Sequence, residues 1–540
     1  MPVHLKINSI DIEASPGKSL FDHAEQHGIQ VPSSCYKQGK CRECLMEIIA
    51  GMDLLSDPSP EEAHLTDNFR LSCRTEVVRP SGTVKCHTMR RAALRIVESG
   101  TALAASSRTD QIDPAVTRAG NQIFLSGEPI AQSPGAIHGL AMDLGTTTVV
   151  LRLIDLETGQ LVAGTSFENP QRFGGSDVMA RIKYDSDHKG KLLQRVLLGY
   201  LSRAIESLPV DPATIYELTV AGNSTMRDLF FGLNVESIGQ KPYRSITEHE
   251  FIDHKRTTTS LAVEAKRLRL PIHPAARIYG LPLVSGHVGA DAAACLLAID
   301  MPTEDRLVAV IDIGTNTEVF LGNRNRILAA SCPAGPAFEG GAITCGMPGL
   351  EGAIERVQIQ PDGTFRNEVI GKVPAAGICG SGLVDLLSEL VRTGQMNEMG
   401  RFRDRRDSLV IDPQQNVFLR ENDVSELAQA KGANIAGMQI VMKEYGIQAS
   451  DIDCFYLAGG FARYIDPAAA RRIGLIPDLP DEKIKQLGNA AIEGATLALI
   501  SQSRRDELER LVQSIKHVEL ETDPGFFEFF VEGCQFKRAG

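Results

Sequence analysis

Residues 140–150 read LAMDLGTTTVV, and residues 308–320 read VAVIDIGTNTEVF. Each stretch is an apolar run that ends in an aspartate, followed by a Gly-Thr turn and then by strand-forming residues, so each predicts a β-hairpin. From Gly139 onward, predicted strands alternate with long helices, which is typical of an α/β domain. Because the same strand–turn pattern occurs twice, the sequence predicts a duplicated architecture with a cleft between two halves.

The two turns carry groups that can hold the phosphates of a nucleotide. A glycine lets the backbone approach closely, Thr hydroxyls and backbone N–H groups donate to phosphate, and an aspartate at the strand end can orient Mg²⁺ and its waters. Strands follow both turns, whereas a P-loop leads into a helix. Asp143 and Asp312 are the predicted catalytic residues, with Glu318, or alternatively Glu339, polarising a water. The predicted phosphate-binding residues are Gly145, Thr146, Thr147, Gly314, Thr315 and Asn316.

The first 93 residues predict a separate small domain. Apolar and polar residues alternate in its predicted strands, and Gly28 ends its predicted helix. The predicted elements are strands at 4–8 and 10–14, a helix at 19–27, a strand at 45–49, a short acidic helix at 57–68, and late strands at 75–78 and 83–85. This order predicts a small mixed sheet that clasps one helix.

Four of the 11 cysteines have the spacing of an iron–sulfur site. Cys35, Cys41 and Cys44 lie in one loop, and Cys73 follows at a distance. A [2Fe–2S] cluster needs four thiolates, two for each iron, and a tight loop plus one remote cysteine can enclose it. The alternative is a structural zinc site built from the same four cysteines. Zinc sites more often use two paired Cys-x2-Cys knuckles, and Cys73 has no such companion.

Neighbouring residues bear on the same site. Gly39 and the small residues Ser33 and Ser34 are expected to let backbone N–H groups approach the sulfurs, which tunes the reduction potential. Cys86 is a rival ligand, but we interpret it as a packed thiol. The other scattered cysteines are expected to be core residues.

Charge and hydropathy exclude several classes of protein. The chain has 540 residues and a formal net charge of -12 without a block of Lys or Arg, which disfavours nucleic-acid binding. Its apolar runs are shorter than the roughly 18 residues of a membrane span, and the N-terminus lacks the pattern of a signal peptide. We therefore expect a cytoplasmic protein without a membrane or nucleic-acid partner.

Residues 94–137 are rich in Ala, Ser, Thr, Gly, Gln and Pro, and they predict a linker with one short strand at 122–125. The predicted domains are thus residues 1–93, the linker, and an α/β domain at 138–540. The lobes of this last domain are expected at approximately 138–306 and 307–540.

Two family resemblances follow from these motifs. The loop at 39–44 resembles that of the bacterial and adrenal-type [2Fe–2S] ferredoxins, which implies an α+β ferredoxin-like (β-grasp) domain. The two turns resemble those of the actin-like ATPase superfamily, which implies a two-lobed α/β domain that binds ATP with Mg²⁺. Residues 457–462 look like the adenosine motif of that superfamily, which implies that Gly459 and Gly460 lie against the nucleotide. Residues 488–495 resemble its following interdomain helix.

Together, the two modules resemble the reductive activators of corrinoid proteins. The motifs that carry this resemblance are at 142–149, 221–226, 314–318 and 334–340. It implies that one electron passes from the cluster to a corrinoid protein of a methyltransferase system and reduces inactive Co(II) to Co(I). An upstream low-potential donor would recharge the cluster. ATP is needed because Co(I) is a stronger reductant than a plant-type cluster at about -400 mV.

One departure from this family concerns the short segment between the modules. Family members can carry an additional middle domain there, and its expected absence leaves the formation of a homodimer open. Two further Gly-rich segments, 333–341 and 377–385, are predicted either to receive phosphate or adenosine or to allow close helix–sheet packing.

Three other functions stay open from sequence. The chain could activate another low-potential redox enzyme, or it could be a small-molecule kinase with an accessory iron–sulfur domain. A kinase of this superfamily needs a cleft-facing base, for which Asp177 is the candidate, and a loop cap is the alternative role for this residue. The third is a structural ATPase that carries a ferredoxin without nucleotide-linked electron transfer.

Overall fold

The computed structural model describes residues 3–8, 10–15, 17–33, 35, 37–66, 68–89, 112–314, 316–460 and 462–539. These residues form two compact units. The first unit combines the N-terminal residues up to position 89 with Pro114–Thr257 and Leu261–Gly280. The second consists mainly of Leu281–Gly540, joined by Thr258–Ser260. No helix among the described residues is both long and apolar enough to cross a membrane.

The N-terminal part of the first unit is a five-stranded sheet with one helix. Its elements are β1 (Val3–Ile7), β2 (Ile10–Glu13), α1 (Leu20–Gln26), β3 (Leu45–Ala50), β4 (Phe69–Leu71) and β5 (Gly82–Thr88). The strand order is β2-β1-β5-β3-β4, and β1 pairs with β5 in parallel. This mixed sheet around one helix confirms the predicted β-grasp class.

Two local predictions in this domain are wrong. Among the described residues of the predicted helix at 57–68, only the short 3-10 turn Pro60–Glu62 is helical, because Glu62 points inward and its carboxylate accepts from the Nε of Arg70 at 2.9 Å. The predicted strand at 75–78 makes only isolated bridges. Strand β4, which was not predicted, takes its place in the sheet.

A small antiparallel sheet follows the undescribed part of the predicted linker. It consists of β6 (Val116–Ala119), β7 (Gln122–Leu125) and β8 (Glu128–Gln132). The predicted strand at 122–125 is therefore confirmed. The linker interpretation is wrong for residues 116–132, because β6 and β8 pair with both sides of β7.

The rest of the first unit is a lobe built on a six-stranded sheet, ordered β11-β10-β9-β12-β14-β13. Its elements are β9 (His138–Leu144), β10 (Thr148–Asp155), β11 (Leu161–Glu168), α2 (Val178–Asp187), α3 (Leu192–Glu206), β12 (Ile215–Gly222), α4 (Ser224–Phe231), α5 (Ile246–Ile252), β13 (Leu261–Glu264), α6 (Ala265–Leu268) and β14 (Arg277–Gly280). One hydrophobic core joins this lobe to the β-grasp domain, because Leu45, Phe69 and Leu71 belong to the same cluster as Leu140 and Val196.

The second unit is built on another six-stranded sheet, ordered β24-β23-β15-β16-β17-β25. Its elements are α7 (Ala290–Ala298), β15 (Val308–Ile313), β16 (Thr317–Asn323), β17 (Arg326–Cys332), β18 (Ala353–Ile359), β19 (Phe365–Val369), β20 (Gly377–Ile378), α8 (Gly380–Arg392), β21 (Ser408–Asp412), β22 (Val417–Arg420), α9 (Glu421–Tyr445), β23 (Cys454–Ala458), α10 (Pro467–Arg472), β24 (Ile484–Gly488), α11 (Ala490–Ile500), α12 (Gln502–Ser514), β25 (Lys516–His517) and α13 (Phe526–Gly533).

The two large sheets share one topology. In each, the first three strands form an antiparallel meander, and the fourth strand pairs in parallel with the first. The orders β11-β10-β9-β12-β14 and β17-β16-β15-β23-β24 are equivalent. Both predicted hairpins are present at the equivalent place, so the structure confirms the duplicated architecture and the actin-like fold class.

Candidate functional site

The four predicted cluster cysteines form two pairs of neighbouring thiols. The Sγ atoms of Cys44 and Cys73 are 3.3 Å apart, and the side chains of Cys35 and Cys41 are hydrogen-bonded. Two thiolates on one tetrahedral metal at about 2.3 Å lie about 3.8 Å apart, so the first pair needs only a small opening to hold an iron. Two pairs are the donor set that the two irons of a [2Fe–2S] cluster require. The described residues include no group of three or more His, Cys, Asp and Glu that could hold a single ion.

Backbone N–H groups approach these sulfurs, as expected. Burial alone would raise the pKa of the Cys35 thiol, but loop N–H groups, led by that of Cys41, outweigh it and lower this pKa. The N–H of Gly39 approaches Cys73. Gly39 has a φ of 72°, and a Cβ there would lie 3.2 Å from the side chain of Arg74, so a glycine suits this position. These N–H groups favour the thiolates that a cluster needs.

Most of the remaining cysteines are packed thiols, whereas Cys345 and Cys534 are part-exposed. Cys86 lies in β5 within the β-grasp core, and burial raises the pKa of its thiol to about 12. This agrees with its interpretation as a core residue and not a ligand. Other fully buried free cysteines are Cys295, Cys332, Cys379 and Cys454. Ser34, expected to border the cluster, lies outside the described residues.

The first Gly-Thr turn is held from its carbonyl side. Asn169 donates from its backbone N–H to the carbonyl of Thr147 at 2.7 Å and from Nδ2 to that of Gly145 at 2.8 Å. The Nη2 of Arg181 donates to the carbonyl of Thr146 at 2.6 Å. In a trans peptide, C=O and N–H point in opposite directions. The N–H groups of these peptide units therefore face away from Asn169 and Arg181, as a phosphate cradle requires.

A second polar contact fixes the same turn. Asn223 caps α4 with its Oδ1 and donates from Nδ2 to the hydroxyl of Thr146 at 2.9 Å. The 221–226 motif thus ends β12 beside the turn. Gly145 closes the turn by donating to the carbonyl of Thr148 at 3.0 Å, and a Cβ on Gly145 would lie 2.6 Å from that oxygen.

Arg181 is a buried cation that sequence reasoning missed. It is fully buried, and its remaining contacts are the carbonyl of Gly175 and the sulfur of Met226, both at 3.0 Å. No carboxylate of the described chain forms an ion pair with it. Burial lowers the pKa of Arg181 to about 9, which leaves it charged at neutral pH. The charge of Asp177 compensates this buried cation only in part, so the site favours a bound anion. Nothing in the sequence distinguishes Arg181 from an exposed helical arginine.

The second turn is lined by acids. Asp312 lies directly opposite Glu318 in the β15–β16 pair, and Glu318 is only 5% exposed. Burial, together with the charges of Asp291 and Asp312, raises the pKa of Glu318 well above its usual range. Burial also raises the pKa of Asp291, at the start of α7, to about 6. Asp291 was not predicted, because it lies outside the turn motif.

The acids differ in how they meet this turn. A Cβ on Gly314 would lie 3.8 Å from the Oε1 of Glu339, so the Glu339 carboxylate is beside the turn and only part-buried. The Oε1 of Glu318, by contrast, is buried without a hydrogen-bond partner among the described residues. Asn316 follows Gly314 in the turn, and Thr315 lies outside the described residues.

The predicted adenosine motif adjoins the second turn. Strands β23 and β15 pair in parallel with Ala458 opposite Asp312, so Gly459 and Gly460 emerge at the same sheet edge as the turn. Gly459 has a φ of 116°, and a Cβ there would overlap the carbonyl of Ile313. Only a glycine allows this approach. Helix α11 follows shortly after, as expected of the 488–495 motif.

Two alternative readings are resolved by geometry. Asp177 caps α2, and its Oδ1 accepts from the N–H of Ala180 at 2.9 Å, which supports the helix-cap role over that of a kinase base. In the 377–385 segment, a Cβ on Gly382 would overlap the carbonyl of Ile354, which indicates close helix–sheet packing. The 333–341 segment leads into only a short 3-10 helix, Ala337–Glu339.

Three family models match the chain. A 2Fe-2S iron–sulfur cluster binding domain matches residues 3–78, the RACo middle region matches 138–304, and the C-terminal domain of RACo, the ASKHA domain, matches 306–540. The middle region is therefore present and coincides with the predicted first lobe. The expectation that a middle domain is missing is wrong. The family's middle region is the first lobe itself, and not an additional domain in the short segment between the two modules.

Curated relatives and a solved structure agree with these matches. The corrinoid activation enzyme RamQ of Eubacterium limosum is 32% identical over 439 residues, which cover 76% of this chain and 72% of RamQ. A [Co(II) methylated amine-specific corrinoid protein] reductase of Methanosarcina barkeri is 25% identical over 431 residues, 73% of this chain and 76% of that protein. A solved reductive activator for corrinoid, iron–sulfur protein is 25% identical, with a TM-score of 0.72 over 99% of this chain and 98% of its own.

Proposed function

The chain belongs to the RACo family of corrinoid activators, and from this premise we propose that it uses ATP to reduce the Co(II) form of a corrinoid protein to Co(I). The observation that carries the proposal is the presence, in one chain, of two cysteine pairs and two phosphate-type turns. A bound [2Fe–2S] cluster supplies one electron at low potential. Cys35, Cys41, Cys44 and Cys73 would hold it.

We assign separate roles to the two turns. The N–H groups of Thr146 and Thr147 would bind phosphate oxygens, Gly145 would let the phosphate approach the backbone closely, and Asp143 at the end of β9 would orient the waters of Mg²⁺. In the second unit, Gly314, Thr315 and Asn316 would bind phosphate oxygens, and Asp312 would orient waters of Mg²⁺. Gly459 and Gly460 lie against the adenosine. These assignments are supported by the position of every described member at the carboxyl end of a parallel strand or in the turn that follows.

The acids around Asp312 suggest how water is activated. Burial raises the pKa of Glu318, which lies directly opposite Asp312, so we assign it a supporting role beside this aspartate and not the polarisation of water. Glu339 is the better candidate to polarise the attacking water, since its carboxylate lies beside Gly314 and is part-exposed. We retain Glu318 as a catalytic-site residue with this supporting role.

The partners follow from the same family. The substrate is a corrinoid protein of a methyltransferase system, and a low-potential electron donor recharges the cluster after each turnover. We also propose that the protein forms a homodimer and is located in the cytoplasm. None of the 11 cysteines forms a disulfide, which is consistent with a reducing compartment.

The proposal is tested by a reduction assay with matched cysteine variants. The iron-loaded protein is mixed with a strong reductant, Mg-ATP and a corrinoid protein in the Co(II) state, and Co(I) is followed by its absorbance. Wild type is expected to form Co(I) only when ATP is present. Cys44→Ser should lose both the visible absorbance of the cluster and Co(I) formation. Cys86→Ser, which alters a buried thiol of the same domain, should keep both.

Two results would overturn the proposal. One is purified protein that contains zinc and no iron, and the other is Co(I) formation at the same rate with and without ATP. The kinase alternative would instead predict ATP turnover stimulated by a small molecule, and its proposed base is already engaged as a helix cap.

A further inference from the structure

Two buried tyrosines hold the β-grasp domain against the lobe of the first unit. We call this interface the seat of the domain. The hydroxyl of Tyr184 on α2 donates to the carbonyl of His64 at 2.7 Å. The hydroxyl of Tyr200 on α3 donates to the carbonyl of Glu43 at 2.8 Å. Both tyrosines are at most 5% exposed, so each bond is made in a dry interface where losing it is costly.

This interface includes the loop that carries the cluster cysteines. Arg42 and Glu43 lie between Cys41 and Cys44 in the sequence. Glu43 contacts α3 through Tyr200 and lies 3.7 Å from the guanidinium of Arg203. The charge of Arg42 acts on Tyr184 of α2. The face of the domain that meets the lobe is therefore the face beside the cluster.

Helix α2 also reaches the first phosphate turn. Arg181 and Tyr184 are three residues apart on this helix, which makes them neighbours along its surface. Arg181 donates to the carbonyl of Thr146 in the turn, while Tyr184 donates to the carbonyl of His64 in the β-grasp domain. One helix of 10 residues thus bonds directly to both.

The segment before α2 makes the same two connections. Asn169 bonds to the carbonyls of the turn. In the 3-10 helix Pro170–Gly174 that it begins, the carbonyl of Phe173 accepts from the hydroxyl of Thr66 at 2.7 Å, and the ring of Phe173 meets that of His64 edge-on. Two successive elements therefore lie between the turn and the cluster domain.

We propose that α2 couples the nucleotide on the first turn to the seating of the ferredoxin domain, with Arg181 and Tyr184 as its positioning residues. The proposal rests on the proposed function, since it needs a nucleotide on this turn. It goes further by naming the residues through which that nucleotide acts on the cluster domain.

The direction of the coupling follows from one peptide unit. The carbonyl that Arg181 holds and the N–H of Thr147 belong to the same peptide, between Thr146 and Thr147. When phosphate accepts from that N–H, the peptide is polarised and its carbonyl becomes a stronger acceptor for Arg181. The phosphate charge also compensates the buried guanidinium. A bound nucleotide therefore restrains α2 and strengthens the contact between the ferredoxin domain and the lobe. Release of phosphate weakens this contact.

The experiment compares two tyrosine variants that remove nearly identical hydrogen bonds. Hydrogen–deuterium exchange is measured on the iron-loaded protein, for peptides covering residues 60–71, with and without Mg²⁺ and the nonhydrolysable analogue adenylyl imidodiphosphate. In wild type, the analogue is expected to slow exchange by about fivefold or more, the lower end of typical couplings between sites. Tyr184→Phe should keep its affinity for the analogue within twofold but lose this slowing.

Tyr200→Phe is the matched control. It removes a seating bond of similar length from α3, a different helix from the one that carries Arg181. We expect faster exchange without nucleotide but the same slowing on addition of the analogue. A structural role alone would make the two variants respond alike.

The outcomes separate this inference from the proposed function. If calorimetry shows that the analogue does not bind, both fail. If it binds but leaves exchange in wild type unchanged, or if both variants keep the slowing, the coupling through α2 is overturned while the proposed function stands. Loss of the slowing in Tyr184→Phe alone supports it.

Discussion

The two Gly-Thr turns come from equivalent hairpins, yet different charged side chains surround them. The first turn is bonded to the buried cation Arg181 and to two asparagines. The second has the acids Asp312, Glu318 and Asp291 gathered beside it. One duplicated scaffold therefore offers positive charge in one unit and negative charge in the other.

Register explains part of this difference. In the first hairpin, the paired residues Leu144 and Val149 enclose residues 145–148, and Asp143 faces an apolar residue, Val150. In the second, the pair of Ile313 and Thr317 encloses residues 314–316, and Asp312 faces Glu318. Directly opposite side chains in such a pair are close enough to interact strongly. The shorter second turn thus brings two carboxyl groups together.

Under the proposed function, this comparison gives the two turns different roles toward a nucleotide. A cation that compensates phosphate charge suits binding, and its helix leads to the ferredoxin domain. Acids suit Mg²⁺ and the attacking water, because both need negative charge nearby. Substitutions at the second turn are then expected to have the larger effect on ATP hydrolysis. Substitutions at the first turn are expected to have the larger effect on coupling to the ferredoxin domain.

The largest expected effect comes from Asp312→Asn, which tests the acidic side of this comparison. Loss of one preorganised charged group typically lowers turnover about 100-fold or more, and we expect this for ATP hydrolysis in the presence of a corrinoid protein. Asp143→Asn should lower it less, because Arg181 already compensates phosphate charge at the first turn. Steady-state ATP turnover measures both.

The control is Asp305→Asn, the same substitution at an exposed acid of the second unit, which should leave turnover unchanged. The melting temperature of Asp312→Asn should not fall, because the change removes like charge beside Glu318. Equal losses of turnover in Asp143→Asn and Asp312→Asn would break the proposed asymmetry.

A smaller effect distinguishes the two turns by how much space surrounds the glycine of each. A Cβ on Gly145 would lie 2.6 Å from the carbonyl of Thr148, whereas the nearest atom to one on Gly314 is the carbonyl of Asn316 at 3.3 Å. Gly145→Ala must therefore displace backbone, and overpacking of this kind costs about 1–3 kcal/mol. Gly314→Ala should cost clearly less. Scanning calorimetry of the two variants measures the difference, and equal shifts in melting temperature would contradict it.

Local patterns made much of the fold and site predictable. Short stretches of chain determine two of these features, so they can be recognised in the sequence. They are the spacing of Cys35, Cys41 and Cys44 and the two Asp-x-Gly-Thr turns. The paired hairpins follow from apolar runs that end in an acid. The strand at 122–125 was found for the same reason.

Features that depend on distant segments were not predictable. The pattern around Glu62 suggests an exposed acidic helix, but this residue is buried against Arg70 and the backbone of Leu71. Arg181 and Tyr184 look like ordinary residues of an amphipathic helix until the fold brings the turn to one and His64 to the other. Such contacts leave no local signal.

The smallest expected effect concerns pH and sharpens the account of the contact between the ferredoxin domain and α2 in the first unit. His64 is 6% exposed in the seated domain, and burial, with the charge of Arg42, lowers its pKa to about 4. A freed His64 would return toward its usual pKa of about 6.5 and bind a proton more readily. Seating is therefore strongest above pH 6.5 and weakens as the pH falls toward 4.

From these two pKa values, seating should weaken about eightfold between pH 7 and pH 5.5. The measurement is exchange of peptides covering residues 60–71, corrected for the intrinsic pH dependence of exchange. His64→Phe keeps an aromatic ring against Phe173 and cannot titrate, so its corrected exchange should be independent of pH over this range. Peptides from the second turn serve as the internal reference and should show no change attributable to this substitution. If His64→Phe retains the full pH response, a titratable group other than His64 causes the pH dependence of the contact between the ferredoxin domain and α2.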